Sequence, residues 1–311
     1  MAVAMAVRQG SDAWIEARRS LITATDIGVL LGLSPYKCEA DLADEKLGGP
    51  GQDESVAMRI GTAMQPLIGS EYTRATGRRL RTYRGLLRHP SIEWAAASPD
   101  FGVVGERRLV EAKWTTSSTR FADGLPQDIE AQVQWQLGVA GYPVADVAVL
   151  ARDTLLPPFE VAYDPDTFAN LVTVAVDFRR RLAAGGPFER NNDRIRRDYP
   201  RDNGAEMLAD DDVTAAVRTL VSLRDRRRAL EDDEERIEAS IKARMGEVAT
   251  LRGDGFRVTW KRTKDSTTTD WRSLAASLLT LVPETDRDAV VGLHTTAREG
   301  FRPFRVTLDK E

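Results

Sequence analysis

Two neighbouring segments, Ala96-Ala97-Ser98-Pro99-Asp100 and, after a Gly105 turn, Arg108-Leu109-Val110-Glu111-Ala112-Lys113-Trp114, decide how this chain is read. Trp94–Val104 and Arg108–Trp114 have the apolar, β-branched and aromatic content of strands. Side chains alternate between the two faces of a strand, so Glu111 and Lys113 share one face, roughly 6–7 Å apart. Ala112 points the other way, and we expect it in the core with Leu109 and Val110. A hairpin-like return brings Asp100 close to Glu111. Two acids and a lysine on one sheet face suit metal-assisted phosphodiester hydrolysis. Magnesium prefers one or two carboxylates plus water, and a lysine beside them orients the attacking water and offsets charge on the phosphate. Taken singly, Glu-x-Lys also describes a solvated strand face, and Pro-Asp a turn.

Outward from this pair the pattern changes. On the N-terminal side, residues 12–31 read as two short helices, the second capped by Thr23 or Thr25. Glu39–Leu47 is a third helix, Gly48 to Asp53 a loop, and a long helix runs from about Glu54 to Thr76, where Gly77 stops it. Leu80–Leu87 is a further strand. On the C-terminal side, Asp128–Ala140 reads as a helix ending at Gly141, and Val144–Ala151 as a buried strand. Phe159–Tyr163 is another strand, and Pro165 opens a helix to Ala184. This order implies an α/β or α+β domain, a mixed sheet flanked by helices. The polar run from Gly185 to Gly204 marks a boundary, giving a domain over residues 1–200 and an accessory region over 205–311. Within the latter, Asp210–Val248 predicts a long charged helix or a helical hairpin with a narrow apolar seam. A strand at Phe256–Lys261, a helix at Trp271–Leu281 and a strand at Phe304–Leu308 follow.

The bulk numbers remove several classes. The 311 residues are 42% hydrophobic and 30% charged, ordinary for a globular protein rather than a disordered one. A formal net charge of -4, with mean hydropathy -0.36 and pI about 5.5, gives no global basic field; local basic grooves matter more than the total. The single cysteine, Cys38, precludes an intrachain disulfide framework or a cysteine-rich metal cluster, and the two histidines, His89 and His294, lack ligand spacing. Met1–Val7 is too short for a secretory leader, and no apolar run nears the roughly 18 residues of a membrane helix, so a cytoplasmic protein with no membrane partner is expected.

Beyond the strand pair, four further stretches carry a resemblance. They are Trp14-Ile15-Glu16-Ala17-Arg18-Arg19 with Ile22-Thr23-Ala24-Thr25-Asp26-Ile27, then Leu31-Gly32-Leu33-Ser34-Pro35-Tyr36, Gly61-Thr62-Ala63-Met64-Gln65-Pro66, and Gln132-Val133-Gln134-Trp135-Gln136-Leu137. In this order, over residues 8 to about 150, the chain resembles the phage lambda exonuclease-like, YqaJ-type branch of the PD-(D/E)XK nucleases. The resemblance implies a restriction-endonuclease-like core with Asp100 and Glu111 as ligands for Mg²⁺ (Mn²⁺ substituting) and Lys113 serving the water. It implies a DNA 5′-phosphate site at Arg18, Thr25, Ser98 and Arg120, supported by Gln132 and Gln136, which otherwise cap a sheet edge. The implied activity is 5′→3′ digestion of double-stranded DNA from its ends, leaving 3′ overhangs for phage-type recombination. The implied partners are a single-strand annealing protein of the RecT/Beta kind and other copies of the chain in a ring-shaped trimer, in the bacterial host of a phage or prophage. Gln65 stands where the family places an acid. An endonuclease of the same superfamily and a catalytically silent DNA-end-binding protein remain the alternatives.

Overall fold

Val144–Ala151 is apolar at all but one of its positions because it lies at the centre of the sheet, covered on both faces. The computed structural model describes residues 2–7, 10–49, 55–83, 85–298 and 300–306. They divide into two units, residues 1–198 and 199–311. The first unit runs β1 (Val3–Ala4), α1 (Asp12–Ser20), α2 (Ala24–Leu30), α3 (Glu39–Lys46), α4 (Val56–Thr76), β2 (Leu80–Thr82), β3 (Leu87–Arg88) and β4 (Ala96–Ala97). It continues with β5 (Phe101–Val103), β6 (Arg108–Thr115), α5 (Gln127–Ala140), β7 (Val144–Ala151), β8 (Thr154–Leu155), β9 (Phe159–Ala162), α6 (Pro165–Ala184) and α7 (Asn192–Asp198). The main sheet has the order β2-β5-β6-β7-β8, with β9 also on β7. Only β6 and β7 pair in parallel, Glu111 opposite Val147, with α5 as the crossover between them; the sheet is mixed and the architecture α/β.

Helices cover both faces. Ile68 and Tyr72 of α4 pack on Phe101, Val103, Val110, Ala112 and Ala148. Ile129, Val133 and Leu137 of α5 pack on the opposite face, with Leu109, Val147 and Val149. The side-chain alternation thus corrects one expectation: Ala112 shares its face with Val110, whereas Leu109 points with Glu111 to the α5 side. Behind α5 a further layer of α2, α3 and α6 closes around Trp135 and Phe178.

Helix limits follow their caps. Ser11 caps α1, Thr23 and Asp26 form a reciprocal capping box on α2, and Gly77, Gly141 and Gly185 end α4, α5 and α6 in left-handed conformation. The long strands expected at Leu80–Leu87 and Trp94–Val104 are instead broken. β2 pairs with β5, while β3 joins β1 and β4 in a separate small sheet. Pro99, with no N–H for a ladder, sits where β4 ends and Asp100 begins the approach to β5. The polar run after Gly185 includes α7, whose Arg194 and Arg197 pair with Asp41 of α3. In the second unit α8 (Asp211–Met245) is one continuous helix, not a hairpin. A β10 (Thr250–Gly253)–β11 (Phe256–Thr259) hairpin, α9 (Trp271–Leu279) and α10 (Glu284–Leu293) follow. Phe304–Arg305–Val306 is not strand, and residues 307–308 lie outside the described residues. Among the described residues no helix is long and apolar enough to cross a membrane.

Candidate active site

The register of β5 on β6, Phe101 opposite Val110 and Gly102 opposite Leu109, sets Asp100 across from Glu111. Asp100 lies at the point where the chain leaves Pro99. Its Oδ2 accepts the Ala112 N–H at 2.9 Å, and its Oδ1 accepts Gln65 Nε2, from α4, at 2.8 Å. Burial, and then the charge of Glu111, push the Asp100 carboxyl up to about 8. Glu111 is itself buried on the α5 side. Lys113 Nζ donates to Glu111 Oε1 at 2.7 Å and to Gln132 Oε1 at 2.8 Å. Gln132 Nε2 completes the triangle by donating to Glu111 Oε1 at 2.6 Å, and Gln136 Nε2 donates to Oε2 at 2.9 Å. Only one orientation of the Gln132 amide presents oxygen to the ammonium and nitrogen to the carboxylate, so the network fixes it.

Helical spacing explains the two glutamines: residues four apart lie on one face, and α5 lays that face over β6. The expected side-by-side placement of Glu111 and Lys113 is present, and Gln65 is in contact with Asp100 although it stands far from it in sequence. Among the described residues no three His, Cys, Asp or Glu side chains are grouped so as to hold a metal ion by themselves. Two acids meet here, and Gln65, the position at which the sequence resemblance implied a third, contributes an amide instead.

Arg18 and Thr25 meet at the start of α2. Arg18 Nη2 donates to Thr25 Oγ1 at 3.0 Å and to Thr23 Oγ1 at 3.1 Å, and its guanidinium stacks 4.5 Å from the Trp14 ring centre. Ile22 bridges in parallel to Ala95, so this corner lies alongside the strand that leads into Ser98-Pro99-Asp100. The Ser98 hydroxyl donates to the Gly85 carbonyl at 3.3 Å. Arg120 stands on a short turn of helix and pairs with Asp128 at 2.5 Å; the structure ties it to α5 rather than to Arg18.

Two residues at this corner escaped the sequence reading. Asp26, almost fully buried, accepts Lys46 Nζ at 2.7 Å and faces Arg18 at 3.8 Å. Although burial opposes it, the charges of Lys46 and Arg18 hold the Asp26 carboxyl down at about 2. The Thr23-x-x-Asp26 spacing of a capping box was the local signal for Asp26. Lys46 had none, because it arrives from α3. Trp14 Nε1 is buried without a hydrogen-bond partner among the described residues.

Two carboxylates, a lysine and three glutamines around one strand pair make a candidate site for a cation and a phosphate group. Comparison with known proteins places the segment that carries it: residues 13–143 match the YqaJ-like viral recombinase domain. The protein YqaJ of Bacillus subtilis (strain 168) is 28% identical over 183 residues, which cover 56% of this chain and 57% of that protein. The chain thus spans little more than half the length of that relative. Among solved structures, the alkaline exonuclease LHK-Exo from Laribacter hongkongensis is 24% identical with a TM-score of 0.48, over 56% of this chain and 94% of that one. A phage related exonuclease from Haemophilus somnus 129PT is 14% identical with a TM-score of 0.41, over 53% and 96%.

Proposed function

We propose that the chain is a Mg²⁺-dependent nuclease that digests double-stranded DNA from 5′ ends and leaves 3′ single strands. The observation that carries this is the convergence of Asp100, Glu111 and Lys113, the two carboxylates accepting from glutamine or backbone donors and the ammonium donating to Glu111 and Gln132, within a segment that matches a viral recombinase domain. The donor set fits a hard cation. Oxygen ligands predominate, and the Asp100 carboxyl, held near 8 beside a second acid, has the excess negative charge that a cation relieves. Asp100 and Glu111 would hold Mg²⁺, which when bound polarises the phosphoryl oxygen and acidifies a water. The chain's own groups do the positioning. Two of the three Lys113 ammonium donors are taken by Glu111 and Gln132, which aims the third at a water or a phosphate oxygen. Gln132 and Gln136 donate to Glu111 from the α5 side and fix its rotamer, while Oε2, with a single donor, keeps acceptor capacity for a cation. Arg18, braced by Trp14 and the two threonines, offers a planar fork suited to a terminal phosphate.

The test is a time course on linear 5′-phosphorylated duplex and on covalently closed plasmid, with Mg²⁺ and with EDTA. We expect loss of the linear DNA only with the cation, and abolition by Lys113→Ala. Linear DNA left intact with both Mg²⁺ and Mn²⁺ would refute the reading, and cutting of closed plasmid would make the chain an endonuclease. Gln65 in the acid position favours one second reading, a DNA-end-binding protein without turnover, whose mark is end-dependent binding at any cation concentration. A ring-shaped trimer and recruitment of an annealing protein, in which residues 205–311 take part, belong to the same proposal. Light scattering of the full chain and of a truncated form tests them.

A further inference from the structure

On the α4 side of the sheet, a groove of about 550 Å³ opens beside Asp100, in the size range of clefts that seat small ligands. Its walls are α4 and β2, with Gln65, Ser70 and Thr73 on one side and Arg79, Thr82 and Tyr83 on the other. Because β2 is the end strand of the sheet, no further strand among the described residues covers this edge. The arginines around it are not equivalent. Arg74 is paired with Glu71 at 3.0 Å, and Arg78 with Asp146 at 3.3 Å and Glu106 at 3.4 Å, so their charges are already compensated. Arg79 is exposed, and its guanidinium has neither an ion pair nor a hydrogen bond among the described residues. Among the described residues Arg81 has no acid partner: it donates to the phenol oxygens of Tyr83 and Tyr142, at 2.8 and 2.7 Å, and lies over the Tyr83 ring. Gly102 makes that arrangement feasible, since a Cβ there would come within 3.0 Å of the Tyr83 ring and 3.3 Å of Arg81 Nε.

One groove therefore has a half-buried carboxylate at one end, a guanidinium uncompensated among the described residues on its wall, and the hydroxyls of Ser70, Thr73, Thr82 and Tyr83 between walls that carry no other acid. A polyanion whose phosphates repeat along a chain matches that layout; a cationic or apolar ligand does not. We propose that the groove is a second phosphate subsite, in which Arg79 takes a nucleotide phosphate next to the one faced by Asp100 and Glu111, and the hydroxyls line the sugar–phosphate path. The nucleic-acid nature of the ligand rests on the nuclease reading. The phosphate belongs either to the strand being cut or to the mononucleotide leaving it.

Binding separates these without turnover. The full chain carrying Lys113→Ala is titrated with fluorescent 5′-phosphorylated linear duplex over a salt series, and 5′-dAMP is competed in a second arm, each with Arg79 and with Arg79→Ala. Loss of a charge-assisted contact is expected to weaken binding about tenfold, and to lower the slope of log affinity against log salt by roughly 0.9 for duplex. Arg79→Lys should recover the salt slope and Arg79→Glu should weaken binding further. A change confined to duplex assigns the subsite to the strand, and a change in the 5′-dAMP arm assigns it to the released nucleotide. Unchanged affinity and slope in both arms, with the folded state verified by thermal melting, overturns the subsite. Failure of the wild-type chain to cut DNA is a separate result that overturns the nuclease reading alone, because these readouts need no cleavage.

Discussion

On the proposed reading, a cation held by Asp100 and Glu111 displaces a proton, and the surroundings of Asp100 set the size of the effect. Desolvation of the half-buried Asp100 carboxyl, and then the charge of Glu111, push it up to about 8, against 3.8 for an ordinary aspartate. A cation needs the ionised form, so its affinity should rise with pH and level off above about 8. Below that point the apparent affinity falls about tenfold per pH unit, giving about a hundredfold weaker binding at pH 6 than at pH 9. At pH 7 Asp100 is about nine-tenths protonated, so close to one proton should leave for each ion bound. The same shift acts on stability. Between about pH 4 and 8 the folded cation-free chain binds more protons than the unfolded one, so its stability falls as pH rises through that window. The increase in melting temperature given by saturating Mg²⁺ should therefore grow with pH. Titration calorimetry at pH 6, 7 and 9, in buffers of different ionisation enthalpy, measures affinity and proton release together. Glu111→Gln removes the neighbouring charge and should bring the Asp100 carboxyl down. A flat affinity from pH 6 to 9, or binding with no proton released, would refute this account of the site.

Other perturbations separate the site from its frame. Gln65→Glu places a third acid against Asp100, which Gln65 now meets at 2.8 Å; tighter Mn²⁺ binding with a lower melting temperature of the cation-free protein is expected, read by calorimetry and thermal melting. Asp26→Ala leaves Lys46, 4% exposed, with a buried charge whose remaining partners are the carbonyls of Arg18 and Leu21. Denaturant titration should show a loss of about 3 kcal/mol. In the wild type the Asp26 carboxyl lies below its unfolded value, so its contribution is complete above about pH 4 and disappears as pH falls towards 2. Gly138→Ala drives a Cβ to 2.2 Å from the Phe168 ring, and a loss of about 1–3 kcal/mol is expected by urea unfolding.

Much of the geometry of the candidate site was legible because it is local. Strand alternation alone puts Glu111 and Lys113 together, helical periodicity puts Gln132 and Gln136 on one face, and a turn at Gly105 returns the chain towards Asp100. Glycines at helix ends and Pro165 at a helix start marked boundaries for the same reason: backbone preferences of single residues act over one turn of chain. Where Leu80–Leu87 divides between two sheets was not legible, since pairing partners far along the chain decide it.

By itself, then, the sequence determined the longer helices and the glycines that end several of them, the central buried strand, and the three charged residues on the β5–β6 corner, whereas the short α7 and α10 were not foreseen. Only the tertiary structure decided that Gln65 meets Asp100 and that Lys46 of α3 neutralises Asp26 behind Arg18. It alone left Arg79 beside the groove without an ion pair among the described residues, while Arg78, its neighbour in sequence, is compensated. The physical reason is range. Propensity and periodicity are set by covalent neighbours, whereas the partner of a buried or grooved charge is chosen by which distant elements the core packs together.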